Sequence, residues 1–355
     1  MPRRANLGKA LRYRYDLDVA NSAPALTPGT GHDDKAWPRF ISFMDYRPFG
    51  NTGLRVSAVG FGAWQLNNPI WGGPDEAGSI ELVQAALDAG CNFYDTAPGY
   101  GGGASEQLLG KALKGRREKA VLCTKYGHSD PRRSDFSVAR LRPSLEASLR
   151  RLQTDHVDVL LLHNPPCDLL DGTKAADLYA ELEALRREGK LRAFGASIDT
   201  SHELRTLALT TTSGAAEVLF NAFHQDVRRA FGEAARRGMG LVAKVPLDSG
   251  WLSGKYDEHS RFDGIRERWS PEVVARRAAL VGRLRALLPP DMPLSQAALS
   301  FVLAHREIAT VIPGAKTRAQ LEANLAAATE PLPAALVAVI HALWETDFAD
   351  NPLPW

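Results

Sequence analysis

Four residues able to move protons stand at the ends of three apolar runs. Asp95 and Tyr100 lie in Asp95-Thr96-Ala97-Pro98-Gly99-Tyr100-Gly101, Lys125 in Thr124-Lys125-Tyr126-Gly127, and His163 in Leu162-His163-Asn164-Pro165. A phenol ionises near ~10, too high for efficient acid–base work at neutral pH. An adjacent ammonium favours the phenolate and lowers that value. The carboxylate of Asp95 could hold Lys125 in place and protonated. The imidazole of His163 could hydrogen-bond a substrate oxygen and orient a carbonyl. Donors aimed at a developing alkoxide lower the barrier to hydride addition, and nothing in this chemistry requires a metal. Singly, a lysine at a strand end is ordinarily solvated and a histidine there is ordinarily a structural hydrogen-bonder. Their joint occurrence at successive strand ends is what points to a site.

These residues need a scaffold that brings strand ends together. Tyr46–Phe49 and Leu54–Val59 flank the turn signal Asn51-Thr52-Gly53 and read as a short hairpin. Strand-like runs follow near Val59–Gly62 and at Asn92–Asp95, Val121–Thr124, Val157–His163, Ala193–Ala196, Val218–Asn221, Leu241–Lys244 and Thr310–Ile312. Several are continuously apolar, as strands covered on both sides are. Helical stripes lie between them. Ile80, Val83, Ala86 and Leu87 are stopped by Gly90, and Leu178, Leu182 and Leu185 by Gly189. Leu141, Leu145, Leu149 and Leu152 form a third stripe, which Pro143 should kink or start late. The longest connection, Pro246 to Pro290, should contain a helix near Val273–Leu288. Eight strands, each followed by a helix, predict a (β/α)8 TIM barrel with a short N-terminal β-hairpin; a doubly wound sheet is the alternative. Such a barrel would occupy residues 44–355 and collect its site at the C-terminal strand ends.

Residues 1–43 read differently. Arg3, Arg4, Lys9, Arg12 and Arg14 precede a Pro/Gly/Thr/Asp stretch from Pro24 to Pro38, and a poorly ordered extension is expected. An organelle transit peptide would share the arginines, but Asp16 and Asp18 depart from its acid-poor pattern. A net charge of +2 over 355 residues provides no footprint for nucleic acid. No apolar run reaches a membrane span and no signal-peptide core is visible, so a cytoplasmic protein without a membrane partner is expected. Cys91 and Cys123 sit in apolar runs and should be packed. Cys167 falls in a loop, where redox chemistry is the alternative to simple exposure.

Asp95-Thr96-Ala97, Tyr100-Gly101, Ser105-Glu106 and Leu109-Gly110 together resemble the signature of the aldo-keto reductases. Thr124-Lys125 and Leu161-Leu162-His163 resemble the other two catalytic segments of that family. Gly189 to Ser197, Pro246 to Tyr256 and Ile312 to Asn324 resemble its nicotinamide, pyrophosphate and adenosine-phosphate segments, in the family's order. The resemblance implies Tyr100 as proton donor, tuned by Lys125 and Asp95, with His163 positioning the carbonyl. It implies NADP(H) as the favoured cofactor, with NAD(H) as the alternative. Trp64, Asp95, Ser197, Leu247, Ser249, Leu252, Lys255, Gly314, Lys316, Thr317, Gln320 and Asn324 are the implied contacts. Trp64, Trp71 and Tyr126 are candidates for the wall of the substrate pocket. Three positions depart from the family pattern. Ile198 follows Ser197 where many relatives carry Asn or Arg, and Glu217 stands where many have a carboxamide-binding Gln. Gln320 replaces the Arg that would pair with a 2′-phosphate, with Lys316 and Arg318 close by in sequence.

Gly99-x-Gly101-x-x-Ala104 imitates a dinucleotide fingerprint. It follows the second unit of the barrel, however, and encloses Tyr100. Gly101–Gly103 should instead form a turn before a helix that Ser105 would cap. The resemblance implies reduction of an aldehyde or ketone, or the reverse oxidation of an alcohol or sugar, with a small-molecule partner. The alternatives are a cofactor-binding regulatory subunit and a Schiff-base aldolase using Lys125. Oligomeric state is left open.

Overall fold

The computed structural model describes residues 44–66, 72–129, 134–262 and 267–354; the expected N-terminal extension and Trp71 lie outside these residues. The hairpin is β1 (Tyr46–Pro48) and β2 (Arg55–Ser57), antiparallel, with Arg47 opposite Val56. Eight parallel strands follow: β3 (Phe61–Gly62), β4 (Phe93–Asp95), β5 (Val121–Tyr126), β6 (Val157–His163), β7 (Leu191–Ile198), β8 (Ala215–Leu219), β9 (Gly240–Lys244) and β10 (Ile308–Val311). They pair in sequence order from β3 to β10. A parallel bridge between Val59 and Val311 joins the two ends, with Val311 N–H donating to the Ala58 carbonyl at 2.9 Å. The sheet is therefore a (β/α)8 barrel, as the count of βα units predicts.

Period-two alternation decides what each strand sends inward. Near the N-terminal ends of the strands the interior is apolar: Phe93, Val121, Cys123, Val159, Leu161, Ala215 and Val242 form one buried cluster with Phe49, Leu54 and Val56 of the hairpin. Phe49 is fully buried, 5.8 Å from the Phe93 ring, so the hairpin plugs the floor. Gly240 makes room for it: a Cβ there would fall 2.6 Å from the Phe49 ring. Cys91 and Cys123 are buried and Cys167 is exposed, as read from their settings.

Outside the barrel run α1 (Glu76–Asp88), α2 (Ala104–Ala112), α3 (Val138–Leu152), α4 (Ala176–Arg187), α5 (Ser201–Thr210), α6 (Phe231–Arg236), α7 (Pro271–Leu287), α8 (Leu294–Leu303), α9 (Arg318–Ala326) and α10 (Ala334–Asp347). Local signals set several starts. Asp75 accepts from Gly78 N–H, and Thr200 and Glu203 form a capping box. Ser270 caps α7 ahead of Pro271. Two expectations are corrected. α3 does not start late: it begins five residues before Pro143, because the buried Leu141–Leu152 stripe favours the helix over the bond proline forfeits. Ser105 does not cap α2, which starts at Ala104 after Gly103. Its buried hydroxyl donates to the Ala63 carbonyl at 2.9 Å and contacts Thr96 Oγ1 at 2.8 Å, tying the helix to two strand ends. Among the described residues no helix is long and apolar enough to cross a membrane.

Candidate active site

Two residues above the apolar floor, the same inward rows turn polar. Asp95 follows Phe93, Lys125 follows Cys123, His163 follows Leu161, Glu217 follows Ala215 and Lys244 follows Val242. Parallel register aligns His163, Ser197 and Glu217 directly and steps the others by two residues, with Asp95 beside Cys123, Lys125 beside Leu161 and Glu217 beside Val242. The tight turn at Tyr100–Gly103 adds the phenol. Gly101, Gly102 and Gly103 all have positive φ (58°, 63° and 95°), a run that residues with side chains resist. At Gly103 a Cβ would also lie 2.8 Å from Arg151 Cδ.

Asp95, Tyr100, Lys125 and His163 are brought together. Lys125 Nζ donates to Asp95 Oδ1, and to the Thr96 carbonyl at 3.1 Å. It also lies 5.3 Å from the centre of the Tyr100 ring. The His163 ring stands edge-on to Tyr100 at 5.9 Å. Trp64 stacks on Tyr100, also at 5.9 Å, and is 39% exposed, a placement suited to a pocket wall. Tyr126 is buried instead, its hydroxyl donating to the Ser137 carbonyl at 2.6 Å. His163 Nδ1 is buried without a hydrogen-bond partner. The Ser105-Glu106 pair on α2 is structural: buried Glu106 accepts from Thr124 Oγ1 and from Arg151 Nε, each at 2.6 Å.

Sequence reasoning singled out Ser197 and Glu217 but not Lys244 or Asp199, and not that they join Lys125 in a second half of this polar layer. Lys125 Nζ is also 3.1 Å from Glu217 Oε2, and both residues are buried. Ser197 Oγ is 3.0 Å from Glu217 Oε1, and Lys244 Nζ donates to it at 2.8 Å. Lys244 also reaches Asn164 Oδ1 at 3.0 Å and Asp199 Oδ1 at 2.8 Å. A chain of charges thus runs from buried Asp95 to part-exposed Asp199. The available signal was periodicity: Glu217 and Lys244 each sit two residues beyond an apolar inward position.

This layer sets the protonation states. Burial, and then Lys125, hold the His163 imidazole down at about 3, so it is neutral at physiological pH. Burial opposes the charge on Lys125, but Asp95 and Glu217 overcome it and hold the ammonium well above its usual range. Burial and Glu217 raise the Asp95 carboxyl. Glu217, facing both Lys125 and Lys244, stays ionised despite its burial. The Tyr100 phenol is raised, not lowered as expected. Lys125 pulls it down, but burial and the negative charges of Asp95 and Glu217 outweigh that pull. Asp95, Cys123 and Glu217 present potential ligand atoms within 4.8 Å of one another, and the Lys125 ammonium pairs with two of the three.

Two further segments leave adjacent strands at the same end of the barrel. After β9, Val245, Asp248 and Ser249 take positive φ (54°, 46° and 54°), an outlier conformation for β-branched Val245. Asn221 Nδ2 donates to the Val245 carbonyl at 2.9 Å. Buried Asp248 is held by Arg277 Nη1, and Arg277 Nη2 donates to the Pro354 carbonyl at 2.7 Å. The segment carries Leu247, Ser249, Leu252 and Lys255; Leu252 is buried. After β10, Thr317 caps α9 through Gln320 N–H. Gln320 Oε1 accepts from Lys316 N–H at 2.9 Å, and Asn324 Nδ2 donates to the Gly314 carbonyl at 3.2 Å. Arg318 pairs with Glu322 at 3.1 Å. A helix N-terminus flanked by Lys316 and Arg318 is a donor set suited to phosphate.

Comparison with known proteins agrees with this architecture. A family model described as the aldo/keto reductase family matches residues 58–345. L-galactose dehydrogenase of Arabidopsis thaliana is 33% identical over 298 residues, 81% of this chain and 89% of that one. D-threo-aldose 1-dehydrogenase of a Pseudomonas species is 31% identical, over 80% of this chain and 93% of that one. The holo form of an aldo-keto reductase from Bacillus halodurans superposes with a TM-score of 0.72 at 30% identity, covering 85% of this chain and 96% of that structure.

Proposed function

The chain belongs to the aldo/keto reductase family, a family of nicotinamide-dependent carbonyl oxidoreductases, and from that premise we propose how its own residues divide the work. Tyr100 gives its phenolic proton to the substrate oxygen during reduction and takes it back during oxidation. Lys125 lies against the phenol and neutralises the phenolate left behind. Asp95 holds Lys125 protonated. Neutral His163 donates to the same substrate oxygen and aims the carbonyl. Trp64 walls the pocket. The observation that carries this reading is that Tyr100 lies close to both the Lys125 ammonium and the His163 ring.

The donor set fits a nicotinamide dinucleotide. Its phosphates would be held by the α9 N-terminus, Gly314, Lys316, Thr317 and Asn324, and by Ser249 and Lys255 on the segment after β9. Leu247 and Leu252 would back that segment, and Ser197, Asp95 and Trp64 would face the nicotinamide end. When bound, the reduced cofactor supplies hydride to the carbonyl carbon. NADP(H) is favoured, because Lys316 and Arg318 stand at the phosphate-binding helix end. Gln320, turned onto the Lys316 backbone, adds no charge for a 2′-phosphate, so NAD(H) competes. The substrate is a small carbonyl compound or a sugar, in keeping with the sugar-oxidising names of two relatives.

A Schiff-base mechanism is disfavoured by the tightly paired, protonated Lys125, since only a neutral amine attacks a carbonyl. The test is oxidation of NADPH and NADH, followed at the nicotinamide absorbance with a panel of aldehydes and ketones, and NADP⁺ reduction with aldoses. Tyr100→Phe should bind cofactor like the wild type and lose about 10²–10⁴-fold in turnover. Wild-type turnover by that variant overturns the assignment of Tyr100. Tight cofactor binding without turnover on any substrate favours a regulatory subunit instead.

A further inference from the structure

Two imidazoles outside the polar layer face each other between the end of α8 and α10. His305 Nε2 and His341 Nε2 are 3.2 Å apart, with ring planes at 87° and ring centres 5.1 Å apart. His305 Nδ1 lies 2.9 Å from the Phe301 carbonyl oxygen. His341 Nδ1 lies 2.7 Å from Gln225 Oε1. The Gln225 amide cannot be turned round without loss, because its NH₂ donates to the Ala222 and Ile340 carbonyls at 3.0 and 3.4 Å. Both Nδ1 atoms therefore face groups that only accept, and both must carry the proton. In the neutral rings each Nε2 is then a bare lone pair, and two lone pairs converge with no hydrogen between them. A cation between the two nitrogens resolves this contact.

We propose that His305 and His341 form a site for a divalent transition metal of the zinc class, clipping α10 to the end of α8. With Zn–N bonds of about 2.0–2.1 Å, nitrogens 3.2 Å apart subtend roughly 100–106° at the metal, close to the tetrahedral angle zinc prefers. Each ligand ring donates its other N–H to an oxygen, the arrangement that orients metal-bound histidines. Phe220 and Phe301 pack edge-on to His305 at 4.7 and 5.0 Å and hold its ring still. Both histidines are part-exposed, so water would be free to complete the coordination.

A shared proton is the competing cation, and the surroundings disfavour it. Burial lowers the His305 imidazole, against smaller upward pulls from the Phe301 and Val302 carbonyls and then Glu307. Burial, then Arg228 and His305, hold His341 at about 4. Both rings are thus neutral at physiological pH, the state a metal requires. The guanidinium of Arg228 is itself paired with Glu345 at 3.0 Å, which softens its repulsion of a metal.

The full-length protein, stripped with chelator and dialysed, is titrated with Zn²⁺ by calorimetry and unfolded thermally with and without the metal. The wild type should bind one Zn²⁺ per chain at micromolar or better affinity and gain thermal stability. His341→Gln should weaken that binding at least roughly tenfold and lose the thermal gain, while Cys167→Ser should change neither. Equal binding by wild type and His341→Gln overturns the site. No binding, with both histidine ring resonances titrating as one group, overturns it in favour of the shared proton. Should His341→Gln fail to fold, Co²⁺-loaded wild type decides: two contact-shifted imidazole N–H protons support the site, and fewer overturn it.

Discussion

Lys125 on β5 and Glu217 on β8 are three strands apart around the barrel, yet Nζ and Oε2 meet at 3.1 Å inside it. The proposed catalytic lysine therefore has two buried carboxylates, Asp95 and Glu217, and the second places an additional negative charge behind the Tyr100 phenol. Glu217 acts on the phenol by its charge and holds Lys125 in place, and is a positioning residue on this reading.

Removing that charge should make Tyr100 more acidic. Glu217→Gln keeps the shape and removes the charge, so the alkaline limb of kcat/KM for carbonyl reduction should move at least roughly one pH unit lower. A limb that stays in place would mean that the charge of Glu217 is not felt at Tyr100. The Tyr100→Phe variant should have no such limb at all.

His163 links the site to acid stability. Its folded value, about 3, lies below the ordinary imidazole range near ~6.5. Above the ordinary value neither state binds a proton there, and the stabilisation is fully present. As pH falls toward 3 the unfolded chain takes up a proton that the folded chain refuses, and stability is lost. His163→Gln should flatten the pH dependence of unfolding free energy across that window, as measured by urea denaturation at a series of pH values. An unchanged slope would contradict a buried, neutral His163.

Arg277 joins the segment after β9 to the C-terminal residues, through Asp248 and the Pro354 carbonyl. Arg277→Met fills the space but leaves buried Asp248 without its guanidinium, beside His224, 3.3 Å away. Stripping one partner from a buried pair should lower stability by about 3–5 kcal/mol. It should also weaken cofactor binding, measured by quenching of protein fluorescence. If stability falls and affinity does not, the segment is no part of the cofactor site.

Residues 44–355 are proposed to fold and work as one barrel. Deletion of residues 1–43 should leave the thermal midpoint and the turnover unchanged. Loss of folding on that deletion would place the extension within the domain.

The residues themselves determined a good deal. Alternation along each strand is a local property, so Asp95, Lys125 and His163 could be placed at successive strand ends, and the repeated βα units pointed to a barrel. Thr200 with Glu203, and Ser270 with Pro271, start their helices through contacts within one turn. What the sequence could not decide were distances through space. Whether Lys125 meets Glu217 depends on closing the barrel, which brings β5 and β8 across from each other. Only then do burial and two carboxylates outweigh one ammonium, turning the expected fall of the Tyr100 pKa into a rise. Ser105 looked like a cap because its neighbours in sequence suggested one; its hydroxyl is instead used by Ala63 and Thr96, which only the packed fold brings to it. The pairing of His305 with His341 is of the same kind, since no local pattern reports which way two distant imidazoles point.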